Sequence, residues 1–208
     1  MISIIPLTSF CIKNAALLYS QVFLNDEPTT LLHDPDPSQF LSFAEFYVQA
    51  LITKNLSFVA RDDNSSDIIG FIFCLDLLSD IRDEGEEMVC FLNQFKETVA
   101  MMENLEEKYL DLSQISFGNV VHVFQIGVHA RYRRSGIAKS LITRVIENGK
   151  KMGYSQIIAD CTSMGSVCSF ESCGFVCLGS IPYESFTVDG NRFFSDLPGD
   201  MHLVLKNI

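Results

Sequence analysis

The sequence predicts a mixed α/β fold in which a central β-sheet is flanked by helices. Short apolar runs typical of strands alternate with longer amphipathic stretches typical of helices along the whole chain. At the centre, Val120–Val128 and Gln156–Asp160 are typical of strands, and Lys139–Met152 between them is typical of a helix, so the three form a β-α-β unit. The chain has 208 residues, of which 48% are hydrophobic and 20% are charged, which favours one globular domain over residues 1–208.

The N-terminal half is expected to supply the outer elements of this fold. Ile2–Pro6 is short, β-branched and closed by a proline, which predicts the first strand. Thr8 or Ser9 is expected to cap the following helix, which extends toward Val22. The next elements are a loop rich in Asp and Pro, a helix and two strands: Asn25–Pro37, Ser38–Thr53, Ser57–Arg61 and Ile68–Leu75.

A helical insertion is expected before the central strand. Asp80–Asp111 is acidic and carries apolar residues at spacings of three and four, which predicts an amphipathic helix. Those residues are Met88, Phe91, Phe95, Val99, Met102 and Leu105. In the central unit, Gly153 is expected to end the helix Lys139–Met152. The last elements are a helix closed by Gly174 and two strands: Ser163–Ser172, Phe175–Ile181 and Met201–Leu205.

Charge and cysteine content narrow the class of protein. The formal net charge of −11 makes binding of nucleic acid improbable, since polyanions repel an acidic domain. The seven cysteines are odd in number, form no C-x-x-C pair and have no histidine at zinc-ligand spacing, so we expect free thiols, a reducing compartment and no metal site. The chain shows neither a signal peptide nor an apolar run of membrane-spanning length. A cytoplasmic protein with no membrane partner is therefore expected.

The most informative segment is the turn between the central strand and the helix after it. Arg133–Ala138, called here the phosphate turn, reads R-R-S-G-I-A and directly precedes the helix. A helix N-terminus with exposed N–H groups binds phosphate, and Gly136 lets the backbone approach a ligand closely. The spacings G-x-x-x-x-G-K-[ST] and G-x-G-x-x-G are both absent, which argues against a Walker loop and a Rossmann dinucleotide site.

The phosphate turn resembles the acetyl-CoA motif [RQ]-x-x-G-x-[GA] of the GNAT N-acetyltransferase superfamily. The later stretch C-T-S-M-G-S-V-C-S-F-E-S-C-G-F, from Cys161 to Phe175, is similar to that superfamily's following strand–helix segment. The resemblance covers Val120 to Phe175 and implies the GNAT fold and acetyl-CoA as acetyl donor. The cofactor-binding residues that it implies are Ile126, Gly127, Val128, Arg133, Arg134, Ser135, Gly136, Ile137, Ala138, Ser163, Ser166 and Phe170.

Further motifs resemble the invertebrate arylalkylamine N-acetyltransferases. These are F-L-N-D-E-P at Phe23–Pro28, D-C-T-S-x-x-S at Asp160–Ser166 and P-Y-x-x-F at Pro182–Phe186. The resemblance implies that Glu27 is the general base, since a cationic amine must lose a proton before it attacks a thioester. Pro28 is expected to keep Glu27 extended. From composition alone, a solvated loop residue is the favoured interpretation of Glu27, and only the resemblance indicates a base.

The acceptor site implied by this resemblance includes Asp26, Phe43 and Tyr47. Phe43, Phe46 and Tyr47 lie on one predicted helix and are expected either to line the amine site as an aromatic wall or to belong to the core. His122 is expected to be paired within the sheet, with a proton-wire role as the alternative.

The sequence departs from the superfamily at the general acid. A tyrosine four residues before the glycine of G-F commonly protonates the CoA thiolate, and Phe170 stands at that position. The resemblance then implies Ser166 and Thr162 as hydroxyl donors, although serines at a helix start are often N-caps. A ping-pong route through Cys161 is the weaker alternative to direct transfer.

The expected function is direct transfer of acetyl from acetyl-CoA to a small arylalkylamine such as dopamine, tyramine, octopamine or serotonin. Alternatives are a polyamine N-acetyltransferase, for which the acidic charge is suitable, and a non-catalytic acyl-CoA sensor of the same fold. The expected partner is the small-molecule amine, and the protein is expected to be a monomer or a homodimer.

Overall fold

The computed structural model describes residues 1–208 and contains one seven-stranded mixed sheet. The strand order across the sheet is β1-β2-β3-β4-β5-β7-β6. In chain order the strands β1 to β7 are Ile2–Pro6, Phe58–Asp62, Ile68–Asp76, Val120–Val128, Gln156–Cys161, Val176–Pro182 and Asp200–Asn207. Only β4 and β5 are parallel to each other, and all other neighbouring strands are antiparallel.

Seven α-helices surround the sheet. In chain order α1 to α7 are Ile12–Asp26, Pro28–His33, Pro37–Ile52, Glu86–Gln94, Lys96–Tyr109, Ile137–Met152 and Met164–Glu171. One apolar cluster joins α1, α3 and α4 to one face of the sheet, and another joins α6 and α7 to the opposite face. A third cluster packs α5 against the C-terminal strands. No helix combines the length and the apolar character needed to cross a membrane.

The predicted mixed α/β fold with helices around a central sheet is confirmed, and so are most of its elements. The predicted first strand coincides with β1 and the predicted central strand coincides with β4. Gly153 ends α6 with a φ of 91°, as expected for a glycine at a helix C-terminus. The sequence predicts these strands and the helix end at Gly153 correctly because each depends on a short, local pattern of residues.

Three local predictions are wrong. The Asp/Pro-rich loop contains α2, which begins at Pro28 because proline suits the first helical turn. The insertion is two helices, α4 and α5, separated at Phe95, where φ is −112° and ψ is 22°. Thr8 makes no capping hydrogen bond, and Ser9 begins a short 3-10 helix ahead of α1.

The centre of the sheet splits after β4 and β5 have run together for four residues. β4 pairs with β5 over Val120–Val123, and beyond that point its residues 125–128 pair only with β3 on the other side. A β-bulge against β3 lies at this point, between the pairs Cys74–Val123 and Phe73–Gln125, so that Phe124 is the extra residue. The C-terminal halves of β4 and β5 therefore enclose an opening in the sheet.

Candidate active site

A cavity of about 1030 Å³ occupies the opening between β4 and β5. Its walls come from the second half of β4, the N-termini of α6 and α7, and the helices on the opposite side of the sheet. The volume is that of a pocket for a large organic ligand or for two ligands together. The opening between the strands therefore leads into the main cavity of the molecule.

The phosphate turn presents an open helix N-terminus to this cavity. Gly136 is the N-cap of α6 with a φ of 83°, a conformation that L-residues rarely adopt. A Cβ on Gly136 would meet no atom within 4 Å, and no side chain caps the first N–H groups of α6. Arg134 also has a positive φ, 61°, and lines the cavity. The geometry is that of an anion site.

Arg133 links the phosphate turn to the far side of the cavity. Its Nη2 donates to Asp26 Oδ2 at 2.5 Å, and its Nε donates to the carbonyl of Val128 at 3.2 Å. Both side chains of the ion pair are 42% exposed, so solvent screens their attraction. Arg133 therefore connects the end of β4 with the end of α1.

The second half of β4 exposes backbone groups along the cavity. Ile126, Gly127 and Val128 line it, and no strand pairs with them on the side facing β5. Gly127 is required here by packing, because a Cβ would lie 2.4 Å from the ring of Phe71. Backbone groups without a strand partner can pair with an extended ligand.

The start of α7 forms another wall of the cavity. Ser163 is the N-cap of α7 and its Oγ accepts from the N–H of Ser166, while the hydroxyl of Ser166 donates to the Ser163 carbonyl at 2.7 Å. The carbonyl of Thr162 accepts from the hydroxyl of Tyr183 at 3.0 Å. Phe170 is 1% exposed and packs on Phe175, so it acts mainly as a core residue.

Glu27 is positioned as the N-cap of α2. Its Oε2 accepts from Thr30 N at 2.6 Å and from Thr29 Oγ1 at 2.9 Å, and its Oε1 accepts from Thr29 N at 3.2 Å. Its φ of −85° and ψ of 117° are the extended conformation expected before Pro28. Glu27 thus lines the cavity as a helix-capping carboxylate and not as a solvated loop residue.

Aromatic rings form a chamber beside Glu27, called here the aromatic chamber (Phe40, Phe43, Tyr47 and Phe91). Phe43 stacks on Phe91 with ring centroids 3.4 Å apart, and on Tyr47 at 5.6 Å. The hydroxyl of Tyr47 donates to Gln125 Oε1 at 2.5 Å. Phe43 and Tyr47 line the cavity, whereas Phe46 does not, so the predicted wall contains two of its three residues.

Three ionisable residues meet on the inner wall of the cavity, called here the acid–histidine cluster (Glu106, His122 and Asp160). His122 Nε2 lies 2.7 Å from Asp160 Oδ2, and His122 Nδ1 lies 3.4 Å from Glu106 Oε1. Burial raises the pKa of Glu106 above the usual range of a carboxylic acid. Burial alone would lower the pKa of His122, but the hydrogen bond and negative charge of Asp160, with the charge of Glu106, raise it.

The cavity brings together nearly all residues of the predicted site. The predicted residues that line it are Asp26, Glu27, Phe43, Tyr47, Ile126, Gly127, Val128, Arg133, Arg134, Gly136, Ile137, Ala138, Thr162, Ser163, Ser166 and Phe170. Ser135 is the exception, since it is exposed outside the cavity and its hydroxyl donates to the Tyr132 carbonyl. The catalytic and binding roles of these residues remain predictions.

Two features of the cavity were not part of the predicted site. Glu106 lies beside Leu105 on α5, and its sequence neighbourhood is that of any amphipathic acidic helix. Gln125 follows the bulge residue Phe124, and a bulge leaves no clear pattern in the sequence. The sequence contains one indication of the acid–histidine cluster, because His122 lies inside an apolar strand and a buried histidine needs a polar partner.

Cys161 is a buried thiol. Its side chain lies at the end of β5 and is 1% exposed. Burial raises its pKa to about 12, so the thiol is protonated at neutral pH and is a poor nucleophile. The geometry offers no support for a ping-pong route through this residue.

Comparison with known proteins agrees with this geometry. The model of the acetyltransferase (GNAT) family matches residues 23–175, which is more than half of the chain. The match includes Glu27, β4, the phosphate turn and α7.

Solved structures share the fold at low sequence identity. Arylalkylamine N-acetyltransferase 2 from Aedes aegypti is 22% identical, with a TM-score of 0.80 over 99% of this chain and 98% of that one. A polyamine N-acetyltransferase from Drosophila melanogaster, which forms N-acetylagmatine, is 15% identical, with a TM-score of 0.73 over 100% of both chains. A putative acetyltransferase from Salmonella typhimurium, solved with acetyl-CoA, is 14% identical, with a TM-score of 0.60 over 99% of this chain and 93% of that one.

Proposed function

This chain belongs to the acetyltransferase (GNAT) family, and on that premise we propose that it transfers acetyl from acetyl-CoA to the primary amine of a small arylalkylamine. The proposed acceptors are dopamine, tyramine, octopamine and serotonin. One observation carries the proposal: a single cavity joins the N-terminus of α6 and the free edge of β4 to the aromatic chamber. Direct transfer requires this arrangement, in which both substrates are held side by side.

Acetyl-CoA is proposed to bind with its pyrophosphate on the phosphate turn. The uncapped N–H groups at the start of α6 and the side chain of Arg134 supply the positive potential that an anion needs. Its pantetheine arm is proposed to run along Ile126–Val128 as an added strand. A backbone N–H of this stretch would then stabilise the negative charge that develops on the acetyl oxygen.

The aromatic chamber is proposed to hold the ring of the acceptor. Phe43 and Phe91 are stacked on each other and both line the cavity, and an acceptor ring that packs against them gains stabilisation beyond the burial of its area. Asp26 is proposed to contribute negative charge near the ammonium group, although Arg133 neutralises much of it. An aromatic amine with one positive charge is complementary to such a pocket.

Glu27 is proposed to accept the proton of the acceptor ammonium, directly or through one water. Its carboxylate already accepts three hydrogen bonds at the start of α2, out of about four that a carboxylate can accept. The neutral amine then forms a bond to the acetyl carbon, and the bond between that carbon and sulfur breaks. The departing thiolate takes up the proton that the nitrogen loses as the amide forms, relayed in this proposal through the hydroxyl of Ser166 or Thr162, and Phe170 cannot take part.

Acetylation of a polyamine is the second candidate function. Carboxylates also line the inner part of the cavity, and they favour an acceptor with more than one positive charge: Asp80, Glu103, Glu106 and Asp160. The similar protein from Drosophila melanogaster is a polyamine N-acetyltransferase. The aromatic chamber has no evident purpose for such a substrate, which is why we favour the arylalkylamine.

A panel of amines tests the proposal by release of free CoA. We expect kcat/KM for dopamine or serotonin to exceed that for spermidine by about tenfold or more, because only an aromatic acceptor fills the chamber. A preference for spermidine would overturn the arylalkylamine assignment in favour of the polyamine. Binding of acetyl-CoA without turnover of any amine would indicate a non-catalytic protein.

Glu27→Gln tests the base assignment separately from the fold. The amide keeps an oxygen that can cap α2 but cannot accept the proton, so we expect kcat/KM at neutral pH to fall by about 10²–10⁴-fold. Asp36→Asn is the matched control, because Asp36 caps α3 in the same way and lies outside the cavity. Full activity of Glu27→Gln at neutral pH would show that another group takes the proton.

A further inference from the structure

The acid–histidine cluster joins the insertion to the two central strands. Glu106 comes from α5, His122 from β4 and Asp160 from β5, and each offers one ligand atom so that the three lie within 4.8 Å of one another. The exposed fractions of the three side chains are 15%, 1% and 2% in that order. Two carboxylates and an imidazole are thus held together where water has little access.

Two polar atoms of the cluster have no hydrogen-bond partner. They are Nδ1 of His122 and Oδ1 of Asp160, both buried. Buried polar atoms almost always have a partner, because an unpaired one costs the free energy of its lost hydration. Glu106 and Asp160 form salt bridges with His122 alone, so no lysine or arginine offsets their charge. A cation bound to Nδ1 would satisfy that atom and offset this charge.

We propose that Glu106 and His122, with Asp160 holding the imidazole in place, bind a divalent transition-metal ion with the ligand preferences of Zn²⁺. Imidazole nitrogen and carboxylate oxygen are ligands of this ion, and two carboxylates balance its charge. Two ligand atoms of a tetrahedral zinc site lie about 3.4 Å apart when the bonds are about 2.1 Å. The 3.4 Å between His122 Nδ1 and Glu106 Oε1 equals this separation.

Asp160 orients the histidine for this role. Its Oδ2 lies 2.7 Å from Nε2 of His122, so the proton of a neutral imidazole sits on Nε2 and the lone pair on Nδ1 is left for the ion. A carboxylate behind a ligating histidine is the usual second partner in zinc sites. Asp160 lies on the opposite edge of the ring from Nδ1 and does not ligate the ion itself, so water from the cavity completes the coordination beside Nδ1 and Glu106.

The cavity gives the ion an entry path and leaves room for water ligands. All three residues line it, so an ion on this wall has open coordination positions toward the cavity. The ion would clamp α5 onto the β4–β5 pair and would occupy space near the proposed acceptor site. We therefore expect it to stabilise the fold and to inhibit acetyl transfer, which itself needs no metal in this proposal.

Titration of the full chain with Co²⁺ and Zn²⁺ after treatment with a chelator tests the site. We expect one Co²⁺ per chain with the intense visible absorption of a four-coordinate ion and without the charge-transfer band of a thiolate ligand. Zn²⁺ should displace it and raise the melting temperature. A cluster that takes up only a proton, with no metal bound at sub-millimolar concentrations, would overturn the proposal.

Three variants assign the binding to these residues. Glu106→Gln should weaken Zn²⁺ binding by about tenfold or more, and Glu107→Gln, on the same helix, exposed and outside the cavity, should leave it unchanged. Cys177 and His202 are an alternative pair of metal ligands, since Cys177 Sγ lies 3.8 Å from His202 Nδ1, and Cys177→Ser removes that pair. Loss of Co²⁺ binding in Cys177→Ser, or its persistence in Glu106→Gln, would place the metal elsewhere. Activity in chelator tests the proposed function independently of the metal.

Discussion

Glu27 shows how one side chain can serve both structure and chemistry. Its carboxylate satisfies two N–H groups at the start of α2, groups that have no partner inside the helix. The same carboxylate faces the cavity. A loss of activity on replacing Glu27 would therefore mix two effects unless stability is measured beside it.

We predict that Glu27→Ala lowers the free energy of unfolding by about 0.5–2 kcal/mol, the usual cost of removing an N-cap. Glu27→Gln should lose less, since its carbonyl oxygen still accepts from Thr30 N. Chemical denaturation of the two variants beside Asp36→Ala measures this. Equal stability of Glu27→Ala and the wild type would show that the cap contributes nothing.

Alanine substitutions at Gly136 and Gly153 distinguish the cost of backbone strain from a loss of ligand binding. Gly136 and Gly153 both have positive φ, 83° and 91°, and neither would meet an atom within 4 Å if it carried a Cβ. We predict that alanine at either position lowers the free energy of unfolding by about 1–2 kcal/mol through the left-handed conformation alone. Only Gly136→Ala should also weaken acetyl-CoA binding, as calorimetry would show. Equal affinities in the two variants would contradict the proposed pyrophosphate site.

The predicted site depends on short motifs, and the residues within one motif lie together in the cavity. Arg134, Gly136 and Ala138 belong to one turn, so their proximity follows from the chain itself. The capping role of Glu27 was not predicted, because α2 lies within a segment of prolines and aspartates that is typical of a loop. Contacts between distant segments, such as Glu106 with His122, leave no local pattern to read.

At the scale of elements, the insertion is docked through a close approach of α5 to β6. A Cβ on Gly179 would lie 2.0 Å from the ring of Tyr109, whose hydroxyl donates to the carbonyl of Ser180. The helix can approach the strand only because residue 179 has no side chain. The position of Glu106, one turn earlier on α5, depends on this contact.

We predict that Gly179→Ala lowers the free energy of unfolding by about 1–3 kcal/mol, because the Tyr109 ring must move. Gly165→Ala is the control: it lies inside α7, and its Cβ would meet only Ser163 Oγ at 3.8 Å, so it should be neutral or stabilising by up to about 1 kcal/mol. Urea denaturation compares the two variants. A fully stable Gly179→Ala would mean that α5 docks by other contacts.

The division of the insertion into α4 and α5 could not be predicted from its apolar pattern. Met88, Phe91 and Phe95 continue into the apolar residues of α5 without a proline or a glycine between them. The break at Phe95 lets α4 pack with α3 while α5 packs with the C-terminal strands. The cause is tertiary packing, which overrides a helical pattern in the local sequence.

At the scale of the whole molecule, the sheet order was not readable from the sequence. β7 inserts between β5 and β6, although β6 precedes it in the chain. Apolar patterns identify strands but not their neighbours when connections are long. The split between β4 and β5 likewise results from non-local pairing: β4 is one continuous strand of nine residues, and only its first four pair with β5.

The opening between β4 and β5 predicts which backbone amides of β4 become protected when acetyl-CoA binds. In β4, residues 121–123 pair with strands on both sides, while residues 125–128 pair only with β3 and Phe124 is the unpaired bulge residue. Amide hydrogens without a strand partner exchange with solvent at low protection. If the pantetheine arm lies along this edge, acetyl-CoA should slow exchange in residues 124–128 and leave Val120–Val123 nearly unchanged, as hydrogen–deuterium exchange measured by NMR would show.

The control is the variant Gly136→Glu, whose carboxylate repels the pyrophosphate. Acetyl-CoA added to this variant should not change the exchange of β4. Slowing confined to the phosphate turn would mean that the cofactor binds without entering the opening, and the proposed transfer beside the aromatic chamber would then lack its donor.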